Sequence, residues 1–287
     1  MADIHNTADY KSIRRYYGLN MNYKLIALDL DDTLLAKDLT ISAKNIEAMR
    51  LASSLGVQVV FCSGRAAVSV LKFTQGLDFI HHIISYNGAM ATDIRSGEKL
   101  IEYRVDTETA ARLIDIGRQY GVPPQIYTDD GMLVERYNLR ARFYEHNALY
   151  RAVVVKDLKE HIANGSIKVL YNARSGLLKP VETLTAGIYG EKLDIFYSKP
   201  YFLELVNIAS NKGKTLCALG ERLGIPPQEI IAMGDSFNDL SMITLAGLGV
   251  AMANGHPDVQ RRADYVSQND NNHSAVAEVI EKFILER

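Results

Sequence analysis

The sequence predicts an α/β fold: a Rossmann-like parallel sheet with helices on both faces, interrupted by an inserted α+β cap. Three observations lead there. Short β-branched, apolar runs alternate with helical patterns in the first part of the chain. The same alternation resumes after residue 200, whereas the stretch between reads as a hairpin followed by strands of a mostly antiparallel sheet. At 287 residues the chain suits two compact units better than one.

Taken in order, residues 24–30 read as a buried strand and 42–55 as a helix closed by Gly56. Residues 57–62 form the next strand, a helix starts near Ala66, and 83–85 make a short third strand. Runs at 89–93 and 99–104 flank Arg95-Ser96-Gly97-Glu98, a hairpin signal. A helix over 107–120 precedes strand-like runs at Gln125, Val134, Val153, Lys168 and Asp194. The closing part gives helices at 212–223, 238–246 and 274–285, with strands at 230–233, 249–252 and 265–266. Residues 21–88 and 199–287 are therefore assigned to the core and 89–198 to the insert. Residues 1–20 are a polar extension ahead of Met21, expected to be dispensable for folding.

An apolar fraction of 47% excludes a disordered chain. Thirty-two basic and 34 acidic residues leave a formal charge of −2 with no long single-sign block, so nucleic acid and anionic membranes are poor partners. A phosphorylated ligand would need a locally positive pocket. No apolar run approaches the roughly 18–20 residues of a membrane span, and the first twenty residues lack the apolar core of a secretory signal. Cys62 and Cys217 stand far apart in apolar contexts and read as small buried hydrophobes, not as a disulfide or metal pair. Reduced thiols fit a cytoplasmic setting. The sequence leaves the oligomeric state open.

The strongest chemical signal is Asp29-Leu30-Asp31-Asp32-Thr33-Leu34, directly after the first strand. Carboxylates there sit where open α/β sheets bind ligands. Asp29 and Asp31 project to one side of an extended segment, and like charges that close need a cation or a proton between them. A calcium-loop reading fails, because position six would be Leu34 instead of Gly and position twelve Thr40 instead of Glu. Met233-Gly234-Asp235-Ser236-Phe237-Asn238-Asp239 adds a second acidic turn after another apolar strand. Alone it could be a helix cap; paired with the first turn it forms half of a metal site. Hard oxygen ligands with room for water and phosphate suit Mg²⁺ better than zinc.

Two further turns point to an anion. Ser63-Gly64-Arg65 follows the second strand and can present O–H and N–H donors to phosphate, although an ordinary cap would look the same. Asn211-Lys212-Gly213-Lys214 opens a helix, where a cation opposes the macrodipole unless an anion binds beside it. Lys212 is the phosphate candidate, and Lys214 reads as solvated.

In this order the four segments resemble the haloacid dehalogenase superfamily, in particular its Cof-like sugar-phosphatase branch, over about residues 21–287. Further matching segments are Ser85-Tyr86-Asn87-Gly88-Ala89, Tyr201-Phe202-Leu203-Glu204 and Gly249-Val250-Ala251-Met252-Ala253-Asn254. The resemblance implies that Asp29 is the nucleophile and a magnesium ligand. It makes Asp31 the general acid/base, with its carbonyl on the metal, and Asp235 the remaining protein ligand. Ser63 and Lys212 would bind phosphate together with Asn238, Gly64 and backbone N–H groups of the first turn, Leu30 included. Asp239 would be a supporting acid. Asp32 replaces a frequent Gly, and Ser63 a commoner Thr; neither change removes a required group.

The chemistry so implied is Mg²⁺-dependent hydrolysis of a small phosphate ester, a sugar phosphate foremost, through an aspartyl-phosphate on Asp29. A phosphomutase with the same nucleophile, or a catalytically silent sugar-phosphate-binding protein, are the alternatives. Asp129, Asp130, Arg142 and Tyr144 of the insert are polar enough to meet a sugar but read more readily as surface.

Overall fold

A computed structural model of the chain describes residues 23–129, 131–137 and 151–285. The first sheet has eight strands. Numbered along the chain, β1 is Leu25–Leu28, β2 Gln58–Cys62, β3 Ile80–Ser85, β4 Met90–Asp93 and β5 Lys99–Glu102. Its later members are β12 (Ile230–Gly234), β13 (Leu248–Ala251) and β14 (Tyr265–Val266). The spatial order is β14-β13-β12-β1-β2-β3-β4-β5, parallel from β14 through β3 and antiparallel at β4 and β5.

The strands read as unbroken apolar runs because both faces are covered. On one side Ile26 and Leu28 pack with Val59, Phe61, Ile231 and Met233 beneath helix α1 (Ala43–Ser54) and the terminal helix Ala275–Ile280. On the other, Leu25 and Ala27 pack with Val60, Cys62 and Ala232 against Leu216 and Leu219 of the helix Lys212–Arg222. Ser42 caps α1 by accepting from the Asn45 N–H at 3.2 Å, and Gly56 takes φ 88° just beyond its end. β1 lies between β2 and β12, so the strand order reverses there and a crevice opens at its carboxyl end.

The second sheet runs β10-β11-β9-β6-β7-β8, antiparallel except for the β7–β8 pair. Its strands are Pro124–Thr128 (β6), Gly131–Val134 (β7), Ala152–Val154 (β8), Lys168–Asn172 (β9), Leu193–Lys199 (β10) and Phe202–Asn207 (β11). Helices Thr107–Gln119 and Ser175–Tyr189 cover one face through Leu113, Ile114, Leu178 and Val181. The other face turns Tyr127, Met132, Leu170 and Phe202 toward Ala66, Tyr86, Ala89 and Met90 of the first unit. On that face Lys168 and Glu204 form a buried ion pair at 3.1 Å, with Lys168 Nζ 4.7 Å from the Tyr127 ring centre.

Sheet membership shows where the chain passes from one sheet to the other. The hairpin β4–β5 hydrogen-bonds onto β3 and so extends the first sheet, while β11 pairs with β9 and β10. The change of sheet therefore falls after Glu102 and before Lys212. The helix Ser175–Tyr189 was not expected; Pro180 and two glycines break its helical signal. The polar extension, Asp130, Arg142 and Tyr144 lie outside the described residues.

Candidate active site

Four loops meet at the carboxyl end of the parallel sheet. Asp29 continues β1, its N–H donating to the Met233 carbonyl at 3.0 Å, and the chain then wraps through Leu30–Leu34. Asp32 takes φ 57° inside that wrap, where its short polar side chain tolerates the left-handed region as expected. Asn254 Nδ2 donates to the Asp32 carbonyl at 2.8 Å and fastens the wrap to the loop after β13.

Lys212 joins two of the acidic groups. Its Nζ donates to Asp29 Oδ1 and to Asp239 Oδ1, each at 2.6 Å, and all three side chains are buried. Burial by itself would favour the neutral amine, but the Asp239 and Asp29 carboxylates outweigh it and raise the lysine pKa. Asp239 Oδ2 accepts the N–H groups of Asp235 and Ser236 at 3.1 and 3.2 Å, so this carboxylate shapes the second acidic turn as well. Gly213, next to the lysine, packs against the Ser241 carbonyl, which fixes where the helix starts.

Carboxylate oxygens of Asp29, Asp235 and Asp239 lie within 4.8 Å of one another. Three carboxylates against one ammonium leave an excess of negative charge in a buried place. Burial, then Asp239, push the Asp29 carboxyl well above its usual range, against the pull of Lys212. Asp235 rises to about 7 through burial and its neighbours Asp239 and Asp32. Such carboxyls ionise readily only beside added positive charge, and an all-oxygen donor set of this kind fits a hard divalent cation.

Asp31 stands apart from that cluster. Its carboxylate takes a two-pronged grip from Arg65, Nε to Oδ2 at 2.8 Å and Nη2 to Oδ1 at 2.6 Å. The guanidinium is mostly buried over the Phe73 ring, 5.3 Å from its centre. Ser63 is buried at the end of β2, and its Oγ accepts the Arg65 N–H at 3.2 Å, which leaves the hydroxyl proton available to a ligand. A Cβ on Gly64 would lie 2.7 Å from Asn87 Oδ1, so a side chain there would displace the Asn87 amide. Asn238 Nδ2 donates to that same Oδ1 at 3.1 Å.

The candidate residues thus arrive from two distant stretches of chain at one place. Sequence reasoning left Arg65 and Asn87 without roles. Their signals were adjacency to Ser63-Gly64 and membership of the Ser85–Ala89 segment, but nothing in the sequence says which side chain meets which. Asp129 of the insert is engaged by Arg104 at 2.7 Å and by Lys99, a structural use.

A Rossmann-like sheet with acidic turns at its switch point and a buried lysine facing them suits an enzyme that handles phosphoryl groups. The chain belongs to the haloacid dehalogenase-like hydrolase family, whose sequence model matches residues 26–280, and it is a Cof-like phosphoric monoester hydrolase. It is similar to a haloacid dehalogenase-like hydrolase of known structure from Bacteroides thetaiotaomicron. The two are 32% identical with a TM-score of 0.85, covering 91% of this chain and 99% of that one. A 5-amino-6-(5-phospho-D-ribitylamino)uracil phosphatase of Bacillus subtilis, YwtE, is 28% identical over 91% of this chain and 98% of its own length. The pyridoxal phosphate phosphatase YbhA of Escherichia coli is 28% identical over 91% and 98%. No helix among the described residues is long and apolar enough to cross a membrane.

Proposed function

We propose that the chain hydrolyses small phosphorylated metabolites, sugar phosphates foremost, with Mg²⁺ as cofactor and Asp29 as the phosphorylated residue. The observation that carries this reading is the buried Lys212 held at 2.6 Å from both Asp29 and Asp239, with Asp235 completing a carboxylate cluster. Lys212 occupies one Asp29 oxygen and leaves the other free to attack phosphorus. The lysine also supplies charge to the phosphoryl oxygens as they close on the nucleophile.

Asp29, Asp235 and the Asp31 carbonyl would hold the ion, with Asp239 in support. When bound, Mg²⁺ supplies the charge that lets an anionic carboxylate approach an anionic phosphate. Attack by Asp29 forms the Asp29–phosphorus bond as the ester oxygen departs. Asp31, in its protonated form, gives that oxygen a proton, and then takes one from the water that cleaves the aspartyl-phosphate. Ser63 Oγ, the Asn238 amide and the N–H groups of Leu30 and Gly64 receive the remaining phosphoryl oxygens. The second sheet packs on Ala66, Tyr86, Ala89 and Met90 beside this crevice, and it would exclude bulk water while meeting the leaving group.

The relatives named above act on a ribityl phosphate and on pyridoxal phosphate, so leaving groups differ among similar chains. Ranking a panel of phosphorylated metabolites by kcat/KM addresses the substrate. Free thiols at Cys62 and Cys217 support a cytoplasmic setting.

The reaction itself is tested with an aryl phosphate. Phosphate release should need a divalent ion, stop on chelation and return with Mg²⁺, and Asp29→Asn should abolish it. Undiminished release by a clean Asp29→Asn preparation would remove the assignment.

A further inference from the structure

The turn after β3 has unusual backbone. Tyr86 (φ 52°) and Asn87 (φ 56°) are consecutive left-handed residues, followed by Gly88 at φ 96°. Of the five non-glycine residues with positive φ among the described residues, these two and Asp32 all border the catalytic crevice. Such conformations persist only where the surroundings over-determine them, and they concentrate at functional sites.

Here the fastenings are specific. The Tyr86 N–H donates to the Arg65 carbonyl at 2.9 Å, and the Asn87 N–H to the Ser63 carbonyl at 3.1 Å. Gly88 lies against the Asn211–Lys212 peptide, where a Cβ would fall 2.4 Å from the Asn211 carbonyl carbon. Thr215 Oγ1 donates to the Gly88 carbonyl at 2.7 Å. One strained turn thereby ties the Ser63 loop to the helix that presents Lys212.

The Asn87 side chain adds the third segment. Its Oδ1 accepts from Asn238 Nδ2 at 3.1 Å, while Ser236 Oγ donates to Asn238 Oδ1 at 2.6 Å. In this arrangement the Asn238 amide turns its oxygen to Ser236 and its nitrogen to Asn87. Its oxygen is committed to Ser236 and one N–H to Asn87, which leaves the second N–H for an anion. Asn87 Oδ1 also stands directly over Gly64.

We propose that Asn87 is a positioning residue of the phosphate site: it locks the Asn238 amide against the Ser63–Gly64 turn so that an N–H, and not a carbonyl, faces the phosphoryl group. This rests on the phosphatase reading above. The competing explanation is that Asn sits there only because it tolerates a left-handed backbone.

Asn87→Gly separates the two, because glycine satisfies the backbone and removes the amide. The positioning role predicts an unchanged or higher thermal midpoint with weaker inhibition by inorganic phosphate. It also predicts a roughly ten- to hundredfold loss in kcat/KM, the scale of one hydrogen bond to a charged group. Combining Asn87→Gly with Asn238→Ala should cost no more than Asn238→Ala alone. Asn87→Asp keeps an acceptor for Asn238 but sets an anion beside the phosphate, so its loss should exceed that of the glycine variant. Wild-type kcat/KM and phosphate inhibition in Asn87→Gly, or multiplying losses in the double variant, would overturn the proposal. The stabilisation of Mg²⁺-loaded protein by inorganic phosphate in thermal melts reads the same site without turnover. A wild type that binds phosphate yet releases none from an ester defeats the phosphatase reading, whereas an active wild type with an unaltered glycine variant defeats only the role of Asn87.

Discussion

Asp235 links the acid chemistry of the site to the stability of the chain. Its carboxyl rises to about 7, and Asp29 moves in the same direction, because both are buried among other carboxylates. An unfolded aspartate titrates near 4, so between about pH 4 and 7 the folded chain holds protons that the unfolded chain does not. That contribution is complete below the unfolded pKa and is lost as pH rises through about 7. In chelator, thermal melts should therefore show wild type losing more stability between pH 4.5 and 8 than Asp235→Asn does. The stabilisation given by Mg²⁺ should grow over the same interval, since the ion binds the carboxylate form. A gap between wild type and Asp235→Asn that stays constant with pH would contradict this.

Residue pairing is also where the sequence was least informative. The acidic turns, Ser63 and Lys212 were legible because each follows or opens an element whose apolar pattern is plain. The grip of Arg65 on Asp31 was not, because 34 residues separate the pair and only the register of β1 beside β2 brings their ends together.

At the scale of elements, the strands of the core were readable because a parallel sheet buried on both faces leaves continuous apolar runs. The hairpin β4–β5 was recognised as a hairpin and placed in the insert, and its strands pair onto β3. Its turn chemistry reports that two strands pair, not which neighbour they join. The helix starting at Lys212 shows how packing places the lysine. A Cβ on Gly213 would lie 2.3 Å from the Ser241 carbonyl oxygen, in the helix and turn that follow Asp239. Gly213→Ala should force these elements apart, costing about 1–3 kcal/mol and several degrees of Tm. Activity should fall further than stability alone explains, because Lys212 moves with the backbone. Melting curves and kcat/KM of the variant read both effects, and an alanine variant equal to wild type in each would show that the contact yields freely.

Taken as a whole molecule, two units are joined by chain crossings near residues 103–106 and 208–211 and by one shared apolar cluster. Tyr86 and Tyr127 meet edge to face across it, with ring centres 5.9 Å apart. The cluster should make thermal unfolding a single event. Tyr127→Ala removes the aromatic contact and exposes the buried Lys168–Glu204 pair, and calorimetry of that variant should resolve two transitions, the earlier one assigned to the second unit. One sharp transition in the variant would mean that the crossings alone couple the units.

The proposed reaction passes through a covalent phosphate carried by Asp29. Its most direct test is to quench the Mg²⁺-loaded enzyme in acid during turnover of a phosphate ester and locate the label by peptide mass spectrometry. The phosphate should sit on the peptide containing Asp29, at that side chain, and be absent from Asp29→Asn. Steady release of phosphate with the label on another residue, or with Asp29 never modified, would contradict it.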